Sequence, residues 1–402
     1  MTDGVKKAFI EPQVPEHGPR RKPTDTSRLT ASWRKPRIAL ATMDVVEATR
    51  TYEAWMRRCT HVVDSQVRHK HQQMRDDLFS FYRATFYRWA QRWPDVCRDL
   101  CQAPRVLAVG DLHVESFGTW RDAEGRLCWG VDDFDEACSL PYTNDLVRLA
   151  ASAKIVIDDA GLGLKFKVAC EAIVEGYRQT LRTGGRPIVL GERDVNLALL
   201  GMDALEPATD FWAKLQGLPP ARRPLPHGLR HALARTLPDP RLDYRVVRRE
   251  AGIGSLGQPR FVAIASWEGG LIAREAKAVV PSAQVWLGHG TGRAPSLSQR
   301  ALDGAVRSRD PFQVVAGRWL VRRLSPDANP IEIAELPKKR DDATLLQAMG
   351  TETANVHVGS RGHVRAILGD LARRKASWLR VAAKAMVEDT ERDWKNFRKA
   401  SR

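Results

Sequence analysis

Two short segments carry side chains of the kind that bind a metal ion and a phosphate. GDLHVES occupies residues 110–116, and DDFDEA occupies residues 132–137. Each follows a short apolar run that predicts a β-strand, so carboxylates and one histidine are expected at the ends of two strands. Carboxylate oxygens are common protein ligands of Mg²⁺, which often binds together with the phosphates of a substrate. The two segments therefore predict a metal–phosphate site.

A glycine-rich loop that could bind phosphate comes much later in the chain. GIGSLG occupies residues 252–257, between two runs with strand composition, DYRVVRREA and RFVAIAS. A dinucleotide-binding loop of this pattern leads from a strand into a helix, whereas here a second strand is expected. A glycine loop between antiparallel strands is typical of the flap over the ATP phosphates in kinases. The pattern alone is weak evidence, and a tight hairpin without a ligand is the alternative.

Kinase chemistry assigns a role to each polar residue of the first two segments. One carboxylate orients or deprotonates the acceptor hydroxyl, and this role falls to Asp111. His113 would brace the loop or contact a phosphate, and Ser116 has the spacing of a metal-ligating asparagine. Asp133 and Asp135 take the metal-binding positions. Taken alone, GDLH fits a capped turn with a hydrogen-bonded histidine equally well.

The third strand of the later region is expected to supply a phosphate-binding cation. LIAREAKA has Arg274 at its centre, while Lys277 would face the other side of the strand. In kinases a carboxylate on the next helix holds this cation, and Asp303, in the helical run of residues 298–306, is the candidate. An ordinary surface ion pair between Arg274 and Asp303 is the alternative. The expected phosphate contacts of the glycine loop are Gly252, Gly254, Ser255 and Gly257.

Four segments together resemble the bacterial family called domain of unknown function 2252: GDLHVESFGTW, DDFDEACSLPYTNDLVRLAAS, GIGSLGQPRF and LIAREA. The similarity runs from about Met74 to the C-terminus. The motifs are also similar to those of aminoglycoside-phosphotransferase and protein-kinase-like proteins, which have a GDxHxxN loop, a DFD metal motif and a later aspartate, here Asp145. This resemblance implies ATP and Mg²⁺ as cofactors. Departures from the family pattern are Ser116, Arg274 and Asp303, where asparagine, lysine and glutamate are usual.

The order of these segments predicts an unusual chain topology. If they are kinase parts, the catalytic loop precedes the glycine loop, which makes the order a circular permutation. The predicted fold is α+β and kinase-like, with a mostly helical catalytic lobe and a small antiparallel β lobe. LLQAMGTETANVHVG, at residues 345–359, would be the helix before the catalytic loop. The predicted divisions are a disordered basic arm at 1–40, the first part of the catalytic lobe at 41–240, a nucleotide-binding β lobe at 241–325 and a helical return at 326–402.

The charge and hydropathy of the chain indicate which classes of partner the protein could bind. The net charge of +16 is concentrated at the two ends of the 402-residue chain, with nine basic residues within 6–37 and ten within 373–402. Such tails predict weak binding of polyanions, or only a solvated surface. No apolar run approaches the ~20 residues of a spanning helix, and the first residues lack the apolar stretch of a signal peptide. We therefore expect no membrane span and a cytoplasmic location.

The leading functional prediction is ATP- and Mg²⁺-dependent phosphotransfer to the hydroxyl of a small molecule or protein. A nucleotide-binding pseudokinase without turnover is the first alternative, because of the three departures. A metallophosphoesterase, with His289 as a further ligand, and a nucleic-acid-binding protein that uses the basic tails are the others. The acceptor is not indicated by the sequence.

Overall fold

Helices begin the described part of the chain. The computed structural model describes residues 43–159, 162–190, 206–290, 294–328 and 341–400, so the predicted basic arm at 1–40 lies outside the described residues. Asp44 begins the first helix by accepting a hydrogen bond from the backbone N–H of Glu47. The four helices are α1 (Val45–Cys59), α2 (Asp64–Asp76), α3 (Leu78–Ala84) and α4 (Phe86–Val96).

The spacing of the aromatic residues at 78–93 is typical of a single helix, but the run forms two helices, α3 and α4. Thr85 separates α3 from α4 with non-helical backbone angles. Its hydroxyl donates 2.7 Å to the carbonyl oxygen of Phe81, a local hydrogen bond that competes with continuation of the helix. The break lets the two helices present their aromatic side chains in different directions. A short 3₁₀ helix, Arg98–Gln102, follows α4.

Four short strands carry the chemistry-bearing segments. β1 (Arg105–Ala108) pairs antiparallel with β4 (Cys138–Pro141), while β2 (Phe117–Arg121) pairs with β3 (Leu127–Val131) across the turn at 122–125. The turn residues at 122–125 are typical of a hairpin between the two apolar runs RVLAV and RLCWGV, but they link β3 to β2 and not to β1, because FGTWR forms a strand of its own. As a result, each chemistry-bearing segment joins the β1–β4 pair to the β2–β3 pair.

Helices enclose these strands. α5 (Tyr142–Asp158) follows β4, and α6 (Phe166–Thr183) leads to the two-residue strand β5 (Ile188–Val189), which pairs with β3. α5 is buried along nearly its whole first half, as a central core helix must be. Two short helices follow in the described residues, α7 (Ala208–Gln216) and α8 (Leu229–Ala234).

A five-stranded antiparallel sheet confirms the predicted β region. Its spatial order is β6-β7-β8-β10-β9, and the first three strands form a meander. A 3₁₀ turn, Ile253–Ser255, lies within the glycine loop between β6 and β7. The strands are β6 (Arg245–Arg248), β7 (Arg260–Trp267), β8 (Gly270–Ala278), β9 (Val314–Ala316) and β10 (Trp319–Leu324), with α9 (Ala283–Leu287) and α10 (Ser298–Gly304) between β8 and β9.

Three helices end the chain: α11 (Asp342–Val358), α12 (Val364–Arg373) and α13 (Trp378–Ala400). α11 confirms the helix predicted at 345–359, and it packs along α6 with its backbone in direct contact. α13 packs on the first helices through Phe397, which joins a cluster with Val45, Met74 and Phe81. The fold is therefore α+β, with helices around several small antiparallel sheets.

Candidate functional site

A cavity of about 330 Å³ brings the two chemistry-bearing segments and the glycine loop together. A Cβ atom placed on Gly254 would lie only 3.8 Å from Oδ2 of Asp111, although 143 positions separate them along the chain. The predicted residues that line the cavity are Asp111, His113, Ser116, Asp133, Asp135, Gly252, Gly254 and Ser255. Gly257 lies outside it, against the side chain of Val67 on α2.

Asp145 holds the backbone at the start of the first segment. Its two carboxylate oxygens accept hydrogen bonds from the N–H groups of Val109 (2.7 Å) and Gly110 (3.0 Å). His357 on α11 lies 3.0 Å from Oδ2 of the same carboxylate, and the other ring nitrogen of His357 lies 2.8 Å from the hydroxyl of Tyr177. Both Asp145 and His357 are fully buried. The position of Asp111, the next residue, is thus fixed by α5 and α11.

Asp111 is anchored through one of its two oxygens. Nε of Arg148, on α5, donates 2.7 Å to Oδ1, and a second guanidinium nitrogen contacts the same oxygen. Arg148 is completely buried, with its guanidinium 4.2 Å from the centre of the Tyr82 ring. Burial raises the pKa of Asp111, although Arg148 opposes this effect. Oδ2, the oxygen nearest the glycine loop, is left to face the cavity.

His113 and Ser116 close the loop on itself. The Ser116 hydroxyl accepts 3.0 Å from the N–H of His113 and donates 3.2 Å to the carbonyl oxygen of Asp111. Nδ1 of His113 accepts from the N–H of Glu115 at 3.2 Å. Burial, together with the charges of Arg83 and Arg148, lowers the pKa of His113 well below its usual range. His113 is therefore neutral at physiological pH, and Ser116 braces the loop while also facing the cavity.

Lys277 is the cation that meets the second segment. Its ammonium group contacts Oδ2 of Asp135 and lies 3.5 Å from Oδ2 of Asp133. Burial would raise the pKa of Asp133, but Lys277 and the N–H of Asp135 hold it below its usual range. Burial and the neighbouring charge of Asp133 raise the pKa of Asp135 to about 6. Asp133 is thus an ionised carboxylate with its side chain 51% exposed to the cavity.

Arg274, the cation predicted from the sequence, faces away from the cavity. It donates to the carbonyl oxygen of Thr236 (2.8 Å), and its guanidinium lies 4.0 Å from the ring centre of Phe312. The reason is the two-residue period of β8, which turns Lys277 toward the cavity and Arg274 toward the opposite face. Asp303 is also elsewhere, since its exposed carboxylate pairs with Arg309 and not with Arg274.

The sheet face above the cavity contains a cluster of charges that sequence reasoning missed. The buried carboxylate of Glu275 is bound by Arg260 (2.8 Å), Arg322 (2.9 Å) and Arg249. Burial alone would raise the pKa of Glu275, but these guanidinium groups hold it well below its usual range. Two-residue alternation along β8, which links Glu275 to Lys277, is the signal that could have revealed this face. Arg260 lies on β7, Arg322 on β10, and Arg249 directly after β6, so only the pairing of these strands brings them here.

The glycine loop is fixed by helices α2 and α3. Lys70 donates 3.2 Å to the carbonyl oxygen of Gly254, and the side-chain oxygen of Gln66 accepts from the N–H of Gly257 at 3.2 Å. Arg260 donates 2.8 Å to the hydroxyl of Ser255. Gly257 has φ = 96° and almost touches Val67, so a side chain at this position would be strained and would clash. The loop therefore has one conformation that depends on tertiary contacts.

Charges of both signs line the cavity. Burial raises the pKa of Glu136 to about 8, so its carboxyl group is largely protonated at neutral pH. Within the described parts of the chain, no group of three or more His, Cys, Asp or Glu side chains is arranged to hold a metal ion by itself. The five cations are Arg83, Arg249, Arg260, Lys277 and Arg322, and the seven carboxyl groups are Asp111, Glu115, Asp132, Asp133, Asp135, Glu136 and Glu275.

Two further predictions concern histidine and the membrane. His289, considered as an additional metal ligand, is not among the residues that line the cavity.

Of the helices that the structure describes, none combines the length and the apolar character needed to cross a bilayer.

Comparison with known proteins finds a family model that matches part of the chain. No curated protein and no solved structure matches the chain. The glycine loop and Lys277 lie beyond the one segment that a family model covers. That segment, residues 45–209, contains both chemistry-bearing motifs and matches the model of the family described as an uncharacterized protein conserved in bacteria (DUF2252), which confirms the predicted family resemblance.

Proposed function

We propose that the cavity binds a nucleoside triphosphate, ATP, together with Mg²⁺ and transfers its terminal phosphoryl group to a hydroxyl. The observation that carries the proposal is the convergence of an ionised Asp133, the Lys277 ammonium and the glycine loop on one cavity with Asp111. Phosphoryl transfer depends mainly on positioning and on charge stabilisation, and these groups supply both. The kinase-like, circularly permuted arrangement belongs to the same proposal.

Each residue has a role that follows from its contacts. Lys277 would bind phosphate oxygens in exchange for its contacts with Asp133 and Asp135. Oδ2 of Asp111 would accept a hydrogen bond, and then the proton, from the attacking hydroxyl, while Arg148 keeps the carboxylate in place. The raised pKa of Asp111 strengthens it as a proton acceptor. Arg260 would hold the glycine loop through Ser255.

The donor set is compatible with Mg²⁺ that arrives with a nucleotide. Mg²⁺ is usually held by one or two carboxylates, with water and phosphate oxygens completing its six ligands. Asp133, with Asp135 beside it, supplies carboxylates of that kind, which agrees with the lack of a larger ligand group among the described side chains. When bound, Mg²⁺ would neutralise the charge of the phosphates.

A nucleotide-binding protein without turnover is the second candidate. Ser116 supports it, because its hydroxyl already has a hydrogen-bond donor and an acceptor within its own loop. An asparagine at this position would offer its side-chain carbonyl as a good metal ligand. The Ser116 hydroxyl has only one lone pair left with which to bind a metal.

The test is thermal stabilisation by ATP, with and without Mg²⁺, in the wild type and in Asp133→Asn. Binding of ATP to the native state raises the melting temperature in proportion to the logarithm of free ligand. We expect a shift that requires Mg²⁺ and that Asp133→Asn lowers by half or more. Asp111→Asn should keep the shift but lose phosphotransfer or slow ATP hydrolysis by at least about 100-fold, the typical effect of an acid–base group.

The outcomes separate the candidates. A Mg²⁺-dependent shift without any turnover in the wild type would support the second candidate. Equal stabilisation of the wild type and Asp133→Asn, or of neither, would contradict both.

A further inference from the structure

A second hollow lies at the glycine-loop end of the five-stranded sheet. Its volume is about 820 Å³, within the range of ligand sites. We call it the arginine groove. Its basic lining residues are His61, Arg222, His227, Arg248, Arg260 and Arg318.

The position of the arginines follows from the sheet register. Arg248 ends β6 and faces Phe261 of β7, while Ala278 at the end of β8 faces Trp319 of β10. Arg318 immediately precedes Trp319, and its carbonyl oxygen accepts 2.8 Å from the N–H of Val279. β6 and β10 are three strand spacings apart, about 14 Å, and the register places Arg318 three residues further toward the glycine-loop end than Arg248. The two arginines therefore lie at opposite sides of this end of the sheet.

Among the residues that the structure describes, the lining of the groove supplies no compensating charge, since it contains no aspartate or glutamate. Within the described ranges, no carboxylate pairs with Arg222, Arg248 or Arg318, whereas Arg260 binds Glu275. Like charges that are gathered in a concavity repel one another and create a positive potential, which a bound anion relieves. An anionic ligand is therefore the complement of this surface.

The shape of the surface favours a linear polyanion over a single small anion. A neighbouring hollow of about 700 Å³ shares Pro224, Pro226 and His227 with the arginine groove, so the two are continuous. The part of its lining that the structure describes again contains no carboxylate, and it adds three basic residues, Arg223, Arg230 and His231. The cationic surface thus extends well beyond what one phosphate group could contact.

Apolar residues that line the groove together with the cations favour a nucleic acid over an acidic peptide. These residues are Phe261, Ala278, Val279, Trp319, Pro224 and Pro226. A single nucleic-acid strand alternates phosphates with flat bases, and arginine binds the former and stacks on the latter. We propose that the arginine groove binds a single-stranded nucleic acid through its phosphodiester backbone. The sequence had suggested the basic tails for such a role, whereas this surface belongs to the folded sheet.

The experiment measures binding of a fluorescent poly-dT of about 12 nucleotides, a length typical of single-strand sites. Fluorescence anisotropy is followed at several salt concentrations between about 50 and 200 mM. The test variant combines Arg222→Ala, Arg248→Ala and Arg318→Ala. The matched control combines Arg361→Ala, Arg365→Ala and Arg380→Ala, which removes the same charge from exposed arginines elsewhere.

We expect the groove variant to bind at least about 10-fold more weakly, while the control variant binds like the wild type. Since each phosphate contact on a single strand contributes about −0.7 to the logarithmic salt slope, the slope should become shallower by about 2. Unchanged thermal stability and an unchanged ATP shift in the groove variant would separate this result from misfolding and from the proposed phosphotransfer site.

Three results would overturn the proposal: no binding by the wild type, equal weakening in the control variant, or equally strong competition by poly-glutamate of the same length. Equal weakening would assign binding to net charge and the tails. Competition by poly-glutamate would assign the groove to an acidic protein.

Discussion

Lys277 and Arg274 are three residues apart on β8, and their orientation decides which of them can meet a phosphate. Lys277 is directed into the cavity beside Asp133, while Arg274 caps the carbonyl oxygen of Thr236 at the end of α8 on the other face. The position that matches the family pattern, Arg274, is therefore not the one whose side chain faces the cavity. The functional difference between the two side chains can be tested directly.

We predict that Lys277→Met lowers the ATP-dependent thermal shift by at least half, because the proposed phosphate would lose the one lysine among the described residues of the cavity lining. Arg274→Met should leave the shift unchanged. It should cost about 1–3 kcal/mol of unfolding free energy, since the Thr236 carbonyl loses a buried hydrogen bond. Chemical denaturation gives the second quantity. Loss of the ATP shift in Arg274→Met, with Lys277→Met normal, would reverse the assignment.

At the scale of elements, α6 and α11 pack with their backbones in very close contact. A Cβ atom on Gly176 would lie 2.0 Å from the carbonyl oxygen of Gln347, and one on Gly350 would lie 2.1 Å from that of Ile173. The two helices approach this closely because each has a glycine at the crossing. This contact fixes how closely α11 lies against α6, and therefore where His357 of α11 meets Asp145.

We predict that Gly350→Ala destabilises the protein by about 2–3 kcal/mol, at the upper end of overpacking effects, because a backbone atom cannot move aside as a side chain can. Gly369→Ala is the matched helical control. The atom nearest to the added Cβ would be a guanidinium nitrogen of Arg373, at the flexible end of that side chain, 3.7 Å away. This change should therefore be neutral or stabilise the protein by up to about 1 kcal/mol. Urea denaturation of both variants measures the difference. A neutral Gly350→Ala would mean that the helices separate without cost.

For the whole molecule, buried carboxyl groups make stability depend on pH. Burial raises the pKa of Glu352 on α11 from its ordinary 4.5 to about 7, even though Arg307 opposes the effect. The folded state therefore binds a proton more tightly than the unfolded chain does. The contribution of Glu352 to the unfolding free energy is fully present below about pH 4.5 and is lost as the pH rises through about 7.

Glu352→Gln should remove this dependence while keeping the acceptor for the Val131 N–H. Relative to the wild type, the unfolding free energy of the variant should rise by about 2 kcal/mol between pH 5 and pH 8, following about 1.4 kcal/mol per pKa unit. Glu124→Gln, at an exposed turn, should show no such trend. Denaturation curves at several pH values measure both. A pH-independent difference for Glu352→Gln would mean that Glu352 is ionised in the folded protein.

Local patterns predicted much of the fold correctly. Two-residue alternation and β-branched content located β6, β7, β8 and β10, and the glycine loop between the first two strands was expected. Helical patterns located α10, α11 and α13. The break at Thr85 and the separate strand β2 were not predicted, because each depends on a competition between local hydrogen bonds and tertiary packing.

The sequence by itself determined which groups are available: the carboxylates of the two segments, the glycine loop and a cation on β8. Such features depend on residue type and on short-range periodicity, which a sequence displays directly. Only the tertiary structure decided that Lys277 and not Arg274 faces Asp133, that Arg148 anchors Asp111, and that three arginines share Glu275. These contacts join residues from different elements, and sheet register and helix packing, not residue type, bring them together.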